Sequence, residues 1–435
     1  MADIIQPRVL KGFRDFLPQA EIERTALLEA LTTTFRSFGF VPIDTPALEY
    51  AEILLGKAGG ETEKQVYRFN DNGGRDVALR FDLTVPLARF MAEHVGELYL
   101  PFKRYHMAKV WRGENTQRGR YREFMQCDFD IVGVDTASAD FDILATIAAA
   151  MKTLEVPGAT INVNHRGVFN RFLAKAGIAD KSVEALRIVD KLSKIGVEET
   201  KRLLAELAGD NAADEVLEFI RGGEGFAATL DRMTRIAGGQ NPDSDRLGEI
   251  FAMADACGLA SSIKLAPSIT RGLDYYTGVV FETFIDKIPE IGSVCSGGRY
   301  NDLASLYTKQ RLPGVGASVG LDRLLAALEA IGKATKTNGY TNVLVVNTEP
   351  TMGAEYQAAG AALRAAGVAC EVFPDTKKAV QQYAYAELKG ARYALVQGLE
   401  EKARGVWFLR NLAERSNREF SNLAAVAAAL LEMDT

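Results

Sequence analysis

The 435-residue sequence predicts an α+β protein with an antiparallel sheet, a helical insertion and a separate α/β domain at the C-terminal end. Three observations carry that reading. Short apolar runs separated by turn residues fill the stretch from Val77 to Val132. A Leu-, Ala-, Glu- and Lys-rich stretch with helical spacing and few strand formers runs from Lys181 to Ile236. Beyond Thr341, strand-like and helix-like segments alternate, the pattern of a mostly parallel sheet flanked by helices.

In chain order, Ile22, Leu27, Leu28, Leu31, Phe35 and Phe38 sit at helical spacing, so an amphipathic helix is expected from Glu21 to Phe38. Gly39 ends it, and the two prolines of Phe40–Pro46 force extended chain. The runs Val77–Phe81, Arg104–Trp111 and Phe124–Val132 read as strands, with Asp71–Gly74 and Asn115–Gly119 as turns. Strand-like sequence resumes from Ala266 through Phe284, then at Gly292–Tyr300 and Val315–Val319, before a helix over Leu321–Ile331. The resulting division is 1–180 and 261–331 for the two parts of a first domain, with a six- or seven-stranded antiparallel sheet. Residues 181–260 form the insertion, 332–341 a polar linker and 342–435 the second domain, where Val343–Val346, Val368–Phe373 and Tyr393–Val396 are the expected strands.

Composition narrows the function. Apolar residues at 47% and charged residues at 25% describe a soluble globular chain. Four cysteines in this length make no disulfide framework, which fits a reducing compartment, and the first residues lack the pattern of a signal peptide. No apolar stretch approaches the roughly 18 residues of a membrane span. A cytoplasmic location is expected. The net charge of −6 argues against a global basic field, but Lys103–Arg122 holds seven basic residues and one acidic residue, Glu114. Local patches of that kind can hold polyanions against the net sign.

Several familiar chemistries are absent. No GxxxxGK[ST] phosphate loop occurs, and Gly314–Gly320 is one residue too long for GxGxxG, so its glycines are read as packing round a buried strand. His94, His106 and His165 have no metal-ligand spacing, and no protein metal site is expected. What remains is a polar constellation. Arg112 and Arg120 flank a loop and suit phosphate oxygens. Gln126, Asp128 and Asp130 fall at period two on one strand face, where carboxylates either meet solvent or line a polar pocket. Asp82 raises the same question. Thr270–Gly278, with an arginine, an aspartate and Tyr275–Tyr276, and Ser296–Tyr300 are two further glycine-flanked clusters suited to cradling a ligand.

On these residues the chain resembles the histidyl-tRNA synthetase family, within the class II aminoacyl-tRNA synthetases. Phe38–Pro46 looks like motif 1, Trp111–Phe124 like motif 2 and Gly314–Arg323 like motif 3. Arg271–Tyr276 and Gly297–Tyr300 resemble the two histidine-specific signatures, and Gln126–Asp130 is similar to the eukaryotic type. The resemblance implies a class II catalytic domain with a helical insertion, an α/β anticodon-binding domain, and ATP-dependent ligation of L-histidine to tRNA(His) through histidyl-adenylate. It further implies ATP as substrate with Mg²⁺, and a homodimer built by motif 1. In this family's pattern Arg112 and Arg271 are catalytic at the α-phosphate. Glu114, Arg120, Phe124 and Arg323 join Arg112 in binding ATP. Asp82, Thr84 and Gln126 take the histidine ammonium, while Asp130, Tyr275, Tyr276 and Tyr300 surround the imidazole. Gln117 and Arg118 meet the tRNA acceptor end.

Two competing readings are weaker. The synthetase-like regulatory subunit of ATP phosphoribosyltransferase normally lacks the C-terminal domain and tends to lose ATP-binding positions, whereas Arg112, Glu114, Arg271 and Arg323 all stand here. An ATP-dependent ligase of small acids would need neither the basic hairpin nor the appended domain.

Overall fold

The computed structural model describes residues 4–56, 61–223, 225–270, 275–333 and 338–434. Two compact units emerge, one drawing its described residues from 1–15 and 27–334, the other from 16–26 and 335–435.

Sixteen strands are present among the described residues. In the first unit they are β1 (Val41–Pro42), β2 (Leu48–Tyr50), β3 (Arg68–Asn70), β4 (Asp76–Leu79), β5 (Phe102–Trp111), β6 (Glu123–Val132), β7 (Ala159–His165), β8 (Ile263–Leu265), β9 (Val279–Ile285), β10 (Cys295–Arg299) and β11 (Gly314–Gly320). Eight of them make one sheet in the order β1-β5-β6-β11-β10-β9-β7-β8. Its centre is antiparallel as expected. Both edge pairs, β1 with β5 and β7 with β8, are parallel, which corrects the six- or seven-stranded antiparallel estimate. Pro42 sits on an edge strand, where a missing N–H donor is tolerated.

Further local expectations shift. The run Val77–Phe81 contributes β4 to a separate three-stranded sheet, β2-β4-β3, and not to the main one. Sequence from Ala266 to Phe284 does not hold one strand: β9 starts only at Val279, and the described residues 266–270 and 275–278 before it are in no strand. The first helix spans Pro18–Ser37, and the helix after β11 spans Leu321–Ala330. The stretch between β7 and β8 holds helices at Ser182–Val189, Leu192–Ala208 (broken at Gly196), Asp210–Ile220, Phe226–Ile236 and Pro242–Ala256. Asn241 caps the last of these with a reciprocal bond to Ser244.

The period-two rule sorts β5 and β6. Tyr105, Cys127, Phe129 and Ile131 join Leu31, Phe35 and Phe40 in the core, while Arg104, His106, Gln126, Asp128 and Asp130 lie on the other face. Register places Asp130 between Arg104 of β5 and Gly316 of β11, and Asp128 between His106 and Ser318.

The second unit contains β12 (Val343–Val345), β13 (Cys370–Val372), β14 (Tyr393–Val396), β15 (Trp407–Asn411) and β16 (Asn417–Phe420), ordered β13-β12-β14-β15-β16. Two of its four pairings are parallel; the β15–β16 hairpin, unforeseen from sequence, makes the rest antiparallel. Val343, Val345, Leu395 and Leu409 pack against Tyr356, Leu363, Val426 and Leu430 of its helices.

Candidate active site

The polar face of β6 and β11 forms the floor of an open pocket. Glycines make room for it. A Cβ on Gly316 would stand 1.9 Å from Asp130 Oδ1, one on Gly297 2.0 Å from the Gly316 carbonyl oxygen, and one on Gly314 2.4 Å from the Tyr300 ring. The glycine run read as packing round a strand is thus also what lets the floor carry carboxylates.

Asp82, Asp128 and Asp130 are each only 2% exposed. Burial pushes the carboxyl of Asp82 up to about 6 and that of Asp128 to about 7. Asp130 is also raised by burial, against the pull of Arg104 and of the Tyr300 hydroxyl. Tyr300 donates to Asp130 Oδ1, and Arg104 Nη2 lies 2.8 Å from Asp130 Oδ2. Arg104 is wholly buried and also donates to the Leu83 carbonyl at 3.2 Å. Asp82 Oδ1 accepts from the Val85 amide at 3.1 Å, at the start of the helix Thr84–His94. Gln126 Nε2 donates to Ser318 Oγ at 3.0 Å. Tyr275 and Tyr276 stand side by side, ring centroids 4.7 Å apart, and Tyr275 meets Tyr300 edge-on at 6.2 Å.

The rim is cationic. Arg112 Nε donates to the Phe81 carbonyl at 2.8 Å, and its guanidinium lies 5.3 Å from the Phe124 ring centroid. Arg120 pairs with Glu114 at 3.3 Å, and Arg323 Nη1 donates to the Ser293 carbonyl at 2.6 Å. Asp322 accepts from the Met125 amide at 2.8 Å and pairs with Arg14, whose guanidinium covers the Tyr121 ring at 3.7 Å.

The pocket therefore gathers Asp82, Thr84, Arg112, Glu114, Arg120, Phe124, Gln126, Asp130, Tyr275, Tyr276, Tyr300 and Arg323 from segments up to 241 residues apart in sequence. Gln117 and Arg118 do not line it. They are exposed on the loop between β5 and β6, where Gln117 and Arg120 exchange backbone bonds. Arg271 lies outside the described residues.

Two residues escaped the sequence reading of the site. Arg104 was hidden among six basic neighbours; its position opposite Asp130 on the paired strand was the available signal. Arg299, buried beside Tyr300, pairs with Asp140 at 2.8 Å, and Asp140 in turn accepts from Arg246 at 2.6 Å. That pair anchors the end of β10 from which Tyr300 reaches Asp130.

Residues 12–324 match the family model described as histidyl-tRNA synthetase, and residues 342–432 the one described as an anticodon binding domain. A histidyl-tRNA synthetase from Nostoc sp. PCC 7120 superposes with a TM-score of 0.89 at 28% identity, covering 99% of this chain and 100% of that one. The fold is the class II aminoacyl-tRNA synthetase fold. Among curated relatives, the histidine–tRNA ligase of Treponema denticola is 55% identical over 91% of this chain and 90% of its own length. That of Rhodopirellula baltica is 47% identical over 99% and 98%. The chain belongs to the histidyl-tRNA synthetase family. A Bacillus halodurans protein described as an ATP phosphoribosyltransferase regulatory subunit/histidyl-tRNA synthetase shares the fold alone, at 21% identity and a TM-score of 0.74.

Proposed function

We propose that this chain joins L-histidine to tRNA(His) in two steps at the one pocket: histidine and ATP form histidyl-adenylate and pyrophosphate, then the tRNA 3′ end takes the histidyl group. The observation that carries the reading is a single pocket with buried carboxylates on its floor and three arginines round its rim.

In the first step the histidine carboxylate oxygen attacks the α-phosphorus and pyrophosphate leaves. Little acid–base chemistry is needed; positioning and preorganised charge supply most of the acceleration. Arg112 serves the α-phosphate and Arg323 the γ-phosphate, each exchanging a backbone carbonyl partner for phosphate oxygens. Arg120 adds a phosphate contact, which frees Glu114 to accept from the adenine amino group while Phe124 stacks on the ring. Arg271 adds positive charge where the pentacovalent phosphorus builds up negative charge, a role resting on its motif alone. Mg²⁺, when bound, would neutralise triphosphate charge.

Asp82, Thr84 and Gln126 hold the histidine ammonium. Asp130, fixed by Arg104 and Tyr300, reads the imidazole together with Tyr275 and Tyr276. A site of buried, satisfied hydrogen bonds rejects analogues lacking a partner by about 10⁴-fold or more. Gln117 and Arg118 meet the acceptor end, a role supported by their exposure on the loop between β5 and β6, and the C-terminal unit binds the anticodon. The enzyme works as a cytoplasmic homodimer. No helix among the described residues is long and apolar enough to cross a membrane.

The test is ATP–pyrophosphate exchange with each of the twenty amino acids, followed by aminoacylation of histidine tRNA with and without its extra 5′ guanosine. Exchange dependent on L-histidine and charging of that tRNA are expected. No histidine-dependent exchange would overturn the reading.

A further inference from the structure

Asp128 has no part in the roles set out above, yet it is buried in the floor and lines the same pocket as Asp82 and Gln126. Its polar neighbours have partners of their own. Across β5, His106 directs Nε2 to Asp44 at 2.9 Å, and Arg104 spends Nη2 on Asp130 and the Leu83 carbonyl, its charge also favouring ionised Asp128, while Arg104 Nε and Nη1 and His106 Nδ1 make no hydrogen bond. Across β11, Ser318 lends Asp128 a hydrogen bond and also accepts from Gln126. Asp130 on its own strand and Asp82 from the segment before the helix Thr84–His94 add like charge. Asp128 Oδ1 is left without a protein partner.

The same holds for two neighbours. Among the described residues lining the pocket, the buried polar side-chain atoms without a hydrogen-bond partner are Asp82 Oδ2, Gln126 Oε1, Asp128 Oδ1 and Asp130 Oδ2, and the last is ion-paired with Arg104. All are acceptors; none is a donor. A buried site with three open acceptors, two of them carboxylate oxygens, is costly until a cation with several N–H groups enters it. A primary ammonium carries three donors in a tetrahedral fan, whereas an imidazole ring offers at most two, in its plane.

We infer that Asp128 is a further acceptor for the substrate α-ammonium, completing with Asp82 and Gln126 the buried open acceptors that its N–H groups fill beside Thr84. This rests on the pocket being the histidine site. Asp128 thereby becomes a specificity-determining residue for the amino group, distinct from Asp130, whose oxygens are already held by Tyr300 and Arg104. The raised carboxyl of Asp128 fits an acid awaiting its counter-cation, because the ammonium favours the ionised form.

Two inhibitors of histidine-dependent ATP–pyrophosphate exchange separate the ends of the ligand. L-Histidinol keeps the ammonium and the imidazole; imidazolepropionate keeps the imidazole and carboxylate without the ammonium. Against the parent enzyme, Asp128→Asn is expected to weaken histidinol about tenfold or more, the scale of a lost hydrogen bond to a charged group, and imidazolepropionate less than about twofold. The ATP requirement should stay unchanged. Equal weakening of both inhibitors, or no change in either, overturns the inference. Asp128→Ser, smaller and still an acceptor, carries the same comparison should Asp128→Asn fail to fold. Absence of histidine-dependent exchange in the parent enzyme would instead defeat the underlying reading of the pocket.

Discussion

The floor and the rim of the pocket are both built from charged side chains, yet they solve opposite problems. On the floor, Arg104, Asp128 and Asp130 are buried on strands whose other face is core, so their charges are fixed in place and partly uncompensated. On the rim, Arg112, Arg120 and Arg323 are half-buried and parked on carbonyl oxygens or on Glu114. A floor of that kind selects, because a ligand must satisfy acceptors that cannot move. A rim of that kind grips, because each arginine gives up one oxygen partner for another at little net cost. On the roles proposed above, selectivity for the amino acid and affinity for the nucleotide are expected to be separable by mutation.

The sharpest break of the contrast is Arg104→Met. It removes a cation ion-paired with Asp130 and leaves buried carboxylates with less opposing charge. Breaking a buried pair from one side costs roughly 3–5 kcal/mol, so the unfolding free energy in urea should fall by about that much, with histidine-dependent exchange lost. A loss below about 1 kcal/mol would mean that the floor is as well solvated as the rim.

Arg112→Lys probes the other side. The charge remains, but the planar fork and its stacking on Phe124 are lost. Stability should change by no more than about 0.5 kcal/mol, as for most substitutions away from the core. The kcat/KM for ATP should drop about 10²-fold, the scale of one lost electrostatic contact to the reacting group. Histidinol binding without ATP should be unaffected. A comparable loss in histidinol affinity would show that floor and rim act as one unit.

How far the sequence exposed this contrast depended on geometry it encodes only in part. Gln126, Asp128 and Asp130 announced a polar face because strand alternation is a local property. The seven basic residues of Lys103–Arg122 looked like one patch because charge counting ignores direction. In the fold they scatter: Arg104 goes under the floor, Lys109 pairs with Glu123, Arg122 donates to the Glu114 carbonyl, Arg118 faces solvent, and only Arg112 and Arg120 line the pocket. The parallel edge pairs and the β15–β16 hairpin were equally illegible, since pairing direction is set by tertiary neighbours. In the hairpin, Trp407 and Leu409 alternate inward, but the flanking Ala-, Glu- and Arg-rich sequence gives no strand signal.

The third test reads the floor without any ligand. In the unfolded chain Asp128 loses its proton near the ordinary value of about 4, and in the folded chain near 7. Between those values the folded state binds more protons than the unfolded one, so stability falls as pH rises through that window. Asp128→Asn removes this titration, while His106 and His165, both lowered by burial to about 4, are common to the two proteins. The difference in unfolding free energy should therefore shift towards the variant from pH 4.5 to 7.5, by an amount on the order of 3 kcal/mol, and then level off. Saturating histidinol should shrink that shift, since its ammonium supplies the charge the floor lacks. A flat difference across the range would mean that water or a rearranged Arg104 already compensates Asp128 in the free protein, and the floor would then be no more demanding of its ligand than the rim.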